Sequence, residues 1–225
     1  KGCEFLNKMV LYGQKNRWYA LQKRAATNSI SKEVKAYYDS LQIITQGYNS
    51  LLNGKWNPVM TTRQGFAASY FELPKLMTVS LPDAPSLGVL AEGEDVLQGK
   101  SSIHTLPAFN TYFRQSYYVD LFNKGIIPLN WSVTTSDDWI VIDKKEGITK
   151  LEERIWVSID WTKVPVGERI SGVIDVMAGS AGKDKIYVSV FNPSSPSLQE
   201  MDSLFVEHNG YVSINASDYH RKVEN

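Results

Sequence analysis

The apolar positions outline the chain. Ile30, Val34, Tyr37, Leu41, Ile44, Tyr48 and Leu51 recur at alternating spacings of four and three, the period that stacks side chains along one helical face. The pattern predicts a helix over 30–53, with Ser29 or Ser31 as N-cap, Glu33 at the positive end of its dipole, and Asn53-Gly54 as a left-handed stop. Upstream, Phe5, Met9, Tyr12, Trp18, Tyr19, Leu21 and Ala25 predict a second helix over 3–26, with Gly13 as its only strong breaker. Two helices cannot bury two wide apolar faces against each other alone, so the pair reads as part of an incomplete bundle.

Residues 54–110 change texture. Pro58, Pro74, Pro82, Pro85 and Pro107 stand too close together for long helices, and alternating runs are few. An irregular connection lying over both neighbours is expected. From Tyr117 the chain becomes short β-branched and aromatic runs divided by turn chemistry at 123–125, 136–138, 143–147, 165–167 and 178–183, the spacing of an antiparallel sandwich. Ile155, Val157, Ile159 and Trp161 alternate with Trp156, Ser158 and Asp160, and the runs ending at Val176 and Val190 repeat the pattern. Trp139, Trp156 and Trp161 therefore read as core rather than as sugar-stacking platforms. Pro193–Ser197 reads as a linker, and residues 204–207 and 211–214 as the opening strands of a further β unit.

The expected fold class is α+β and multidomain: N-terminal antiparallel helices from an incomplete bundle, then an immunoglobulin-like antiparallel β-sandwich. The divisions fall at 1–55 for the helical hairpin, 56–110 for the irregular connection, 111–193 for the sandwich, and 194–225 for the linker and the start of a further β unit.

Composition removes several functions. With 225 residues, 43% apolar and 12% aromatic, the chain has ample material for real cores. Its 24 basic residues cancel 24 acidic ones, so no global field draws nucleic acid or an anionic membrane. No run approaches the roughly 20 apolar residues of a membrane helix. Neither nucleic acid nor membrane is an expected partner. Cys3 stands alone, which removes internal disulfides and cysteine-rich zinc sites, and it reads as a buried structural thiol.

Candidate chemistry is sparse. His104, His208 and His220 have no HxxxH or HExxH spacing, and no GxSxG, Walker or GxGxxG motif occurs. No metal and no cofactor are expected. Glycoside hydrolysis needs two carboxylates at a set separation, and Glu92, Glu94, Asp95, Asp137, Asp138, Glu152 and Glu153 supply candidates. Adjacent acids in turns are ordinarily solvated. A complete enzyme built on Glu92, Glu94, Asp137 and Asp138 is therefore a third reading, behind a scaffold and a binding module.

Several stretches carry a resemblance. They are Asn16–Asn28 (NRWYALQKRAATN), Tyr48-Asn49, Gly54-Lys55-Trp56-Asn57 leading to Met60, Gln115–Asn123 (QSYYVDLFN), Gly125, Trp139-Ile140, and Glu153–Trp161 (ERIWVSIDW) followed by Pro165 and Gly167. In order and spacing they resemble glycoside hydrolase family 115, the xylan α-glucuronidases. Residues 207–216 resemble the entry to that family's final β domain, and the sandwich segment is also similar to the small immunoglobulin-like module called BACON.

The resemblance implies a non-catalytic accessory portion lying downstream of the catalytic domain, inactive alone, whose parent removes glucuronic acid from xylan in a secreted or periplasmic setting. The partners it implies are the parent's catalytic domain, glucuronoxylan and a second copy in a homodimer. A binding module holding plant glycans through exposed aromatics is the alternative. The chain departs from the family after Asn57, where Pro58–Phe66 replaces a methionine pair and a histidine-containing run. In this loop Lys55 and Arg63 could meet a uronate carboxylate and Trp56 could stack on a sugar, with Asn57 beside them. The blander arrangement has Trp56 anchoring the loop while both cations point to water.

Overall fold

The computed structural model describes residues 1–60, 71–94, 103–197, 199–201, 204–207, 210–215 and 217. Helix α1, Gly2–Leu21, and helix α2, Ala26–Asn49, lie against each other as a hairpin. Met9, Ala26, Ile30 and Val34 form its buried centre, with Tyr12 and Tyr37 packed edge to face beside them. Burial along α2 fades toward its end, where Tyr48 and Leu51 are exposed.

Both helix ends differ from expectation at their shared corner. α1 stops at Leu21 rather than 26 because Lys23 turns left-handed (φ 57°), and the N–H groups of Lys23 and Arg24 donate to the carbonyls of Ala20 and Tyr19. That is a Schellman closure without the usual glycine. α2 then begins at Ala26, before either expected serine, with no side-chain cap; its entry is held instead by the Ala25 N–H donating to the Asn123 carbonyl at 2.8 Å. At the far end α2 stops at Asn49, short of the expected 53; Asn53 and Gly54 are left-handed as expected, at φ 57° and 82°, but Leu52 before them already is, at φ 49°.

Beyond residue 70 the chain runs back along the hairpin. Asn16, fully buried, accepts from the Met77 N–H at 2.7 Å and donates to the Met77 carbonyl at 3.0 Å. Asn28 does the same to Val79 at 2.9 and 3.0 Å. Each amide imitates a strand's donor–acceptor pair, so an extended segment is fixed to helices without a sheet.

The sandwich has two layers. β1 (Leu87–Ala91), β4 (Tyr117–Asn123), β8 (Glu152–Ile159) and β6 (Ile140–Ile142) form one antiparallel sheet in that order. The second runs β2 (His104–Thr105), β10 (Lys183–Asn192), β9 (Gly167–Met177), β5 (Leu129–Thr135) and β7 (Glu146–Thr149), with β3 (Phe109–Asn110) also on β10. Strands β1, β2 and β3 come from the 56–110 stretch that its prolines make look irregular. β2 and β3 run parallel to β10, and the remaining pairs are antiparallel. Phe109, Val119, Leu121, Ile155, Ile174 and Ile186 are among the fully buried residues between the layers. Gly125 sits where a methyl group would strike the Ala84 carbonyl, a backbone collision no side chain can relieve.

Three further expectations change. Trp139 is buried, but Trp156, read as core, is 45% exposed; it sits on the outward parity of β8, opposite Ile155 and Val157. Cys3 is exposed, not buried. Residues 204–207 and 211–214 have apolar content suited to strands, yet carry none, apart from a single bridge at Tyr211. A strand exists only through its ladder partner, and none is supplied among the described residues.

Candidate functional site: the joint between hairpin and sandwich

The densest chemistry lies where the hairpin meets the outer face of the four-stranded sheet. Arg24 is 1% exposed although it carries a full charge. Its guanidinium lies 4.3 Å from the Tyr19 ring and 4.1 Å from the Phe122 ring, sandwiched between faces from α1 and β4. One nitrogen donates to Glu152 at 2.9 Å and stands 3.6 Å from Asp120; another donates to Gln22. The Tyr19 hydroxyl donates to the same Glu152 carboxylate at 2.9 Å. Burial, and then the Glu152 charge, push the Tyr19 hydroxyl well above the usual phenol range, so it stays a neutral donor.

Asp120 couples this cluster outward. Arg154, its register partner across β4 and β8, binds it at 2.8 and 3.1 Å and lies 3.6 Å over the Tyr118 ring. Beside the cluster, Asn123 accepts from Gly125 and Ser86 and donates to Ile127 and Lys150, so the turn after β4 is tied to the segment before β1 and to the turn between β7 and β8. A buried arginine with two carboxylates and two ring faces cannot rotate without leaving charge unpaired. The corner between the helices is thereby tied to the sheet by charged, aromatic and backbone contacts.

The loop singled out by sequence lies elsewhere. Lys55 sits 5.4 Å over the Trp56 ring, both beside the left-handed stop of the helices. Asn57 is exposed and donates its N–H to the Gly54 carbonyl, and Met60 donates to Asn49. Lys55, Trp56 and Asn57 are thus brought together; Arg63 lies outside the described residues. Among the acids, Glu92 and Glu94 follow β1 while Asp137 and Asp138 occupy the turn after β5, and among the described residues no hydrogen bond or ion pair joins the two groups. Asp95, His208 and His220 are outside the described residues.

His104, which stands in no metal-binding spacing, gains two acidic partners through the fold. Its Nδ1 is 2.9 Å from Glu94 and its Nε2 3.3 Å from Asp184, with the side chain 13% exposed. Lys124, whose ammonium burial pushes down, faces the same Asp184. Among the described residues no group of three or more His, Cys, Asp or Glu could hold a metal ion. The hydrogen bond to Glu94 raises the imidazole pKa above 6.5, against the opposing effect of burial. A raised folded pKa gives stability that is full below the unfolded value and lost as pH rises through the folded one. The melting temperature should therefore fall as pH rises above about 6.5, and His104→Gln should flatten that slope; equal slopes in thermal melts of the two proteins would contradict it.

These elements define the class of the chain: a helical hairpin joined to an immunoglobulin-like, antiparallel-rich β-sandwich. No family model and no curated protein matches it. Solved structures similar to half of it include a Bacteroides ovatus GH5 xyloglucanase, with 16% identity, TM-score 0.34 and 20% of that chain covered. The periplasmic chaperone SfaE shows 10% identity and TM-score 0.37 over 49% of this chain and 58% of its own. The PapD-like domain 7 of human CEP192 shows 8% identity and TM-score 0.33 over 56% of this chain and 98% of its own. At these identities the likeness concerns the fold alone. No helix among the described residues is long and apolar enough to cross a membrane.

Proposed function

We propose that this chain is the non-catalytic scaffold portion of a glycoside hydrolase resembling family 115, setting the spacing between the parent's catalytic domain and its later β modules. One observation carries the reading: two of the resembling stretches meet at the joint. Tyr19, Arg24 and Ala25 come from the stretch Asn16–Asn28, and Asp120, Phe122 and Asn123 from Gln115–Asn123; the contacts among them and with Glu152 fasten hairpin to sandwich, while Asn16 and Asn28 tie the extended segment at Met77 and Val79 to the helices and Arg154 braces Asp120 within the sheet.

In this reading the parent removes glucuronic acid side chains from xylan without a cofactor, in a secreted or periplasmic setting. The loop carrying Lys55, Trp56, Asn57 and Arg63 faces its active site, and two copies pair as a homodimer. Purified chain incubated with glucuronoxylan is expected to release no glucuronic acid; release by the pure protein would overturn the proposal. A second reading, a carbohydrate-binding module for plant glycans, is favoured by the exposure of Trp156.

A further inference from the structure

The outer face of the four-stranded sheet is divided in two. The hairpin covers the row formed by Gly88, Phe122 and Glu152, where Arg24 and Tyr19 dock. Four residues away along β4, a different row crosses β4 and β8 and ends on the residues just past β1 and β6. Tyr118 pairs with Trp156 in register. On one side the Glu92 N–H donates to the Tyr118 carbonyl at 3.0 Å, and on the other the Asp143 N–H donates to the Trp156 carbonyl at 3.2 Å. The row reads Glu92, Tyr118, Trp156, Asp143, and at the spacing of paired strands it is about 14 Å long.

We propose that this row is a glycan-binding site for neutral, β-linked pyranose chains of the xylan or cellulose backbone type. The proposal rests on the carbohydrate-binding reading and gives that reading its site. Trp156 offers an indole 45% exposed, whose tilt is fixed by an edge-to-face contact with Tyr118 at 5.8 Å and 75°. Tyr118 is itself held by Arg154 at 3.6 Å from its ring centre. A ring immobilised before binding loses little entropy when a sugar's axial C–H face stacks on it.

The rim selects the ligand. Glu92 and Asp143 each use an oxygen on a sheet N–H, at 2.9 Å to Tyr118 and Trp156 respectively, so both carboxylates are fixed at the ends of the aromatic pair. An ionised carboxylate has further lone pairs for sugar hydroxyl donors. Two fixed anions repel acidic sugars, while the bonds from Arg154 to Asp120 offset the cation that would attract them. The two rings form a small apolar face between the Glu92 and Asp143 carboxylates, with Arg154 over Tyr118, which suits a polyol.

The purified chain should be titrated with xylohexaose, cellohexaose and an oligogalacturonate by calorimetry and by intrinsic tryptophan fluorescence. At least one neutral hexasaccharide is expected to bind, more tightly than the acidic one. Trp156→Ala should weaken that binding tenfold or more, Trp156→Leu, which keeps apolar bulk without the ring, should weaken it equally, and Trp18→Ala on the exposed side of α1 should leave it unchanged. Absence of binding by the unmodified chain would overturn both site and module. Binding that survives in folded Trp156→Leu would overturn the site while the module reading stands, and preference for the acidic ligand would overturn the ligand class.

Discussion

Replacing Arg24 with alanine is expected to cost about 3 kcal/mol of unfolding free energy, the lower end of the range for breaking a buried ion pair, since Glu152 stays partly open to solvent. The substitution removes the cation between two rings and, among the described residues, leaves Asp120 with only Arg154 as an ionic partner and Glu152 with the Tyr19 hydroxyl and the more exposed Lys15 at 3.7 Å. Lysine would keep the charge, but not the planar fork or the stacking surface, so Arg24→Lys should fall between alanine and the native residue. The exposed pair Lys35–Asp39 gives the contrast: its removal should change stability by less than about 0.5 kcal/mol. Urea unfolding compared across the variants reads the difference directly. An Arg24→Ala loss below about 1 kcal/mol would mean that the charges at the joint are effectively solvated.

Phe109→Ala should be the other large effect, about 3–5 kcal/mol. Phe109 is fully buried, packs edge to face on Tyr117 at 4.8 Å, and sits on the short strand β3 beside β10. Removing its ring opens a cavity between the two sheets, where neighbours on paired strands cannot collapse inward. The effect also reports on architecture. If residues 104–110 were a detachable connection, the same substitution would cost little and would leave the midpoint of urea unfolding nearly unmoved.

The sandwich strands were legible because period-two alternation reports which face is buried, and Ile155, Val157 and Ile159 do point inward. The same alternation placed Trp156 on the opposite face; only the expectation that tryptophan is buried led to reading it as core. β2 and β3 were hidden because each contains just two residues and pairs with β10, about eighty positions away, and β1 because it lies among prolines and pairs with β4. The corner at Lys23 was hidden because a lysine occupies the left-handed position that a sequence reader assigns to glycine.

The joint was legible only as a set of resembling stretches. Nothing in the text of the first one says that Asn16 and Asn28 clasp an extended segment at Met77 and Val79, or that Arg24 meets carboxylates from β4 and β8. These are contacts between residues tens to more than a hundred positions apart, which periodicity cannot register. The His104 cluster was missed for the same reason. The loop at Lys55 and Trp56, found through the resemblance, lies at the other end of α2 from the joint, so the two features impose separate requirements on the chain.

The central claim is that hairpin and sandwich form one rigid joint, and spin-label distances test it most directly. Cys3 is the chain's sole cysteine and is exposed on α1; Asp138→Cys places a second label on the sandwich, at a side chain 78% exposed. Double electron–electron resonance between the two labels should give a single narrow distance distribution. A broad or two-peaked distribution, in a protein whose Arg24 is intact, would contradict the account.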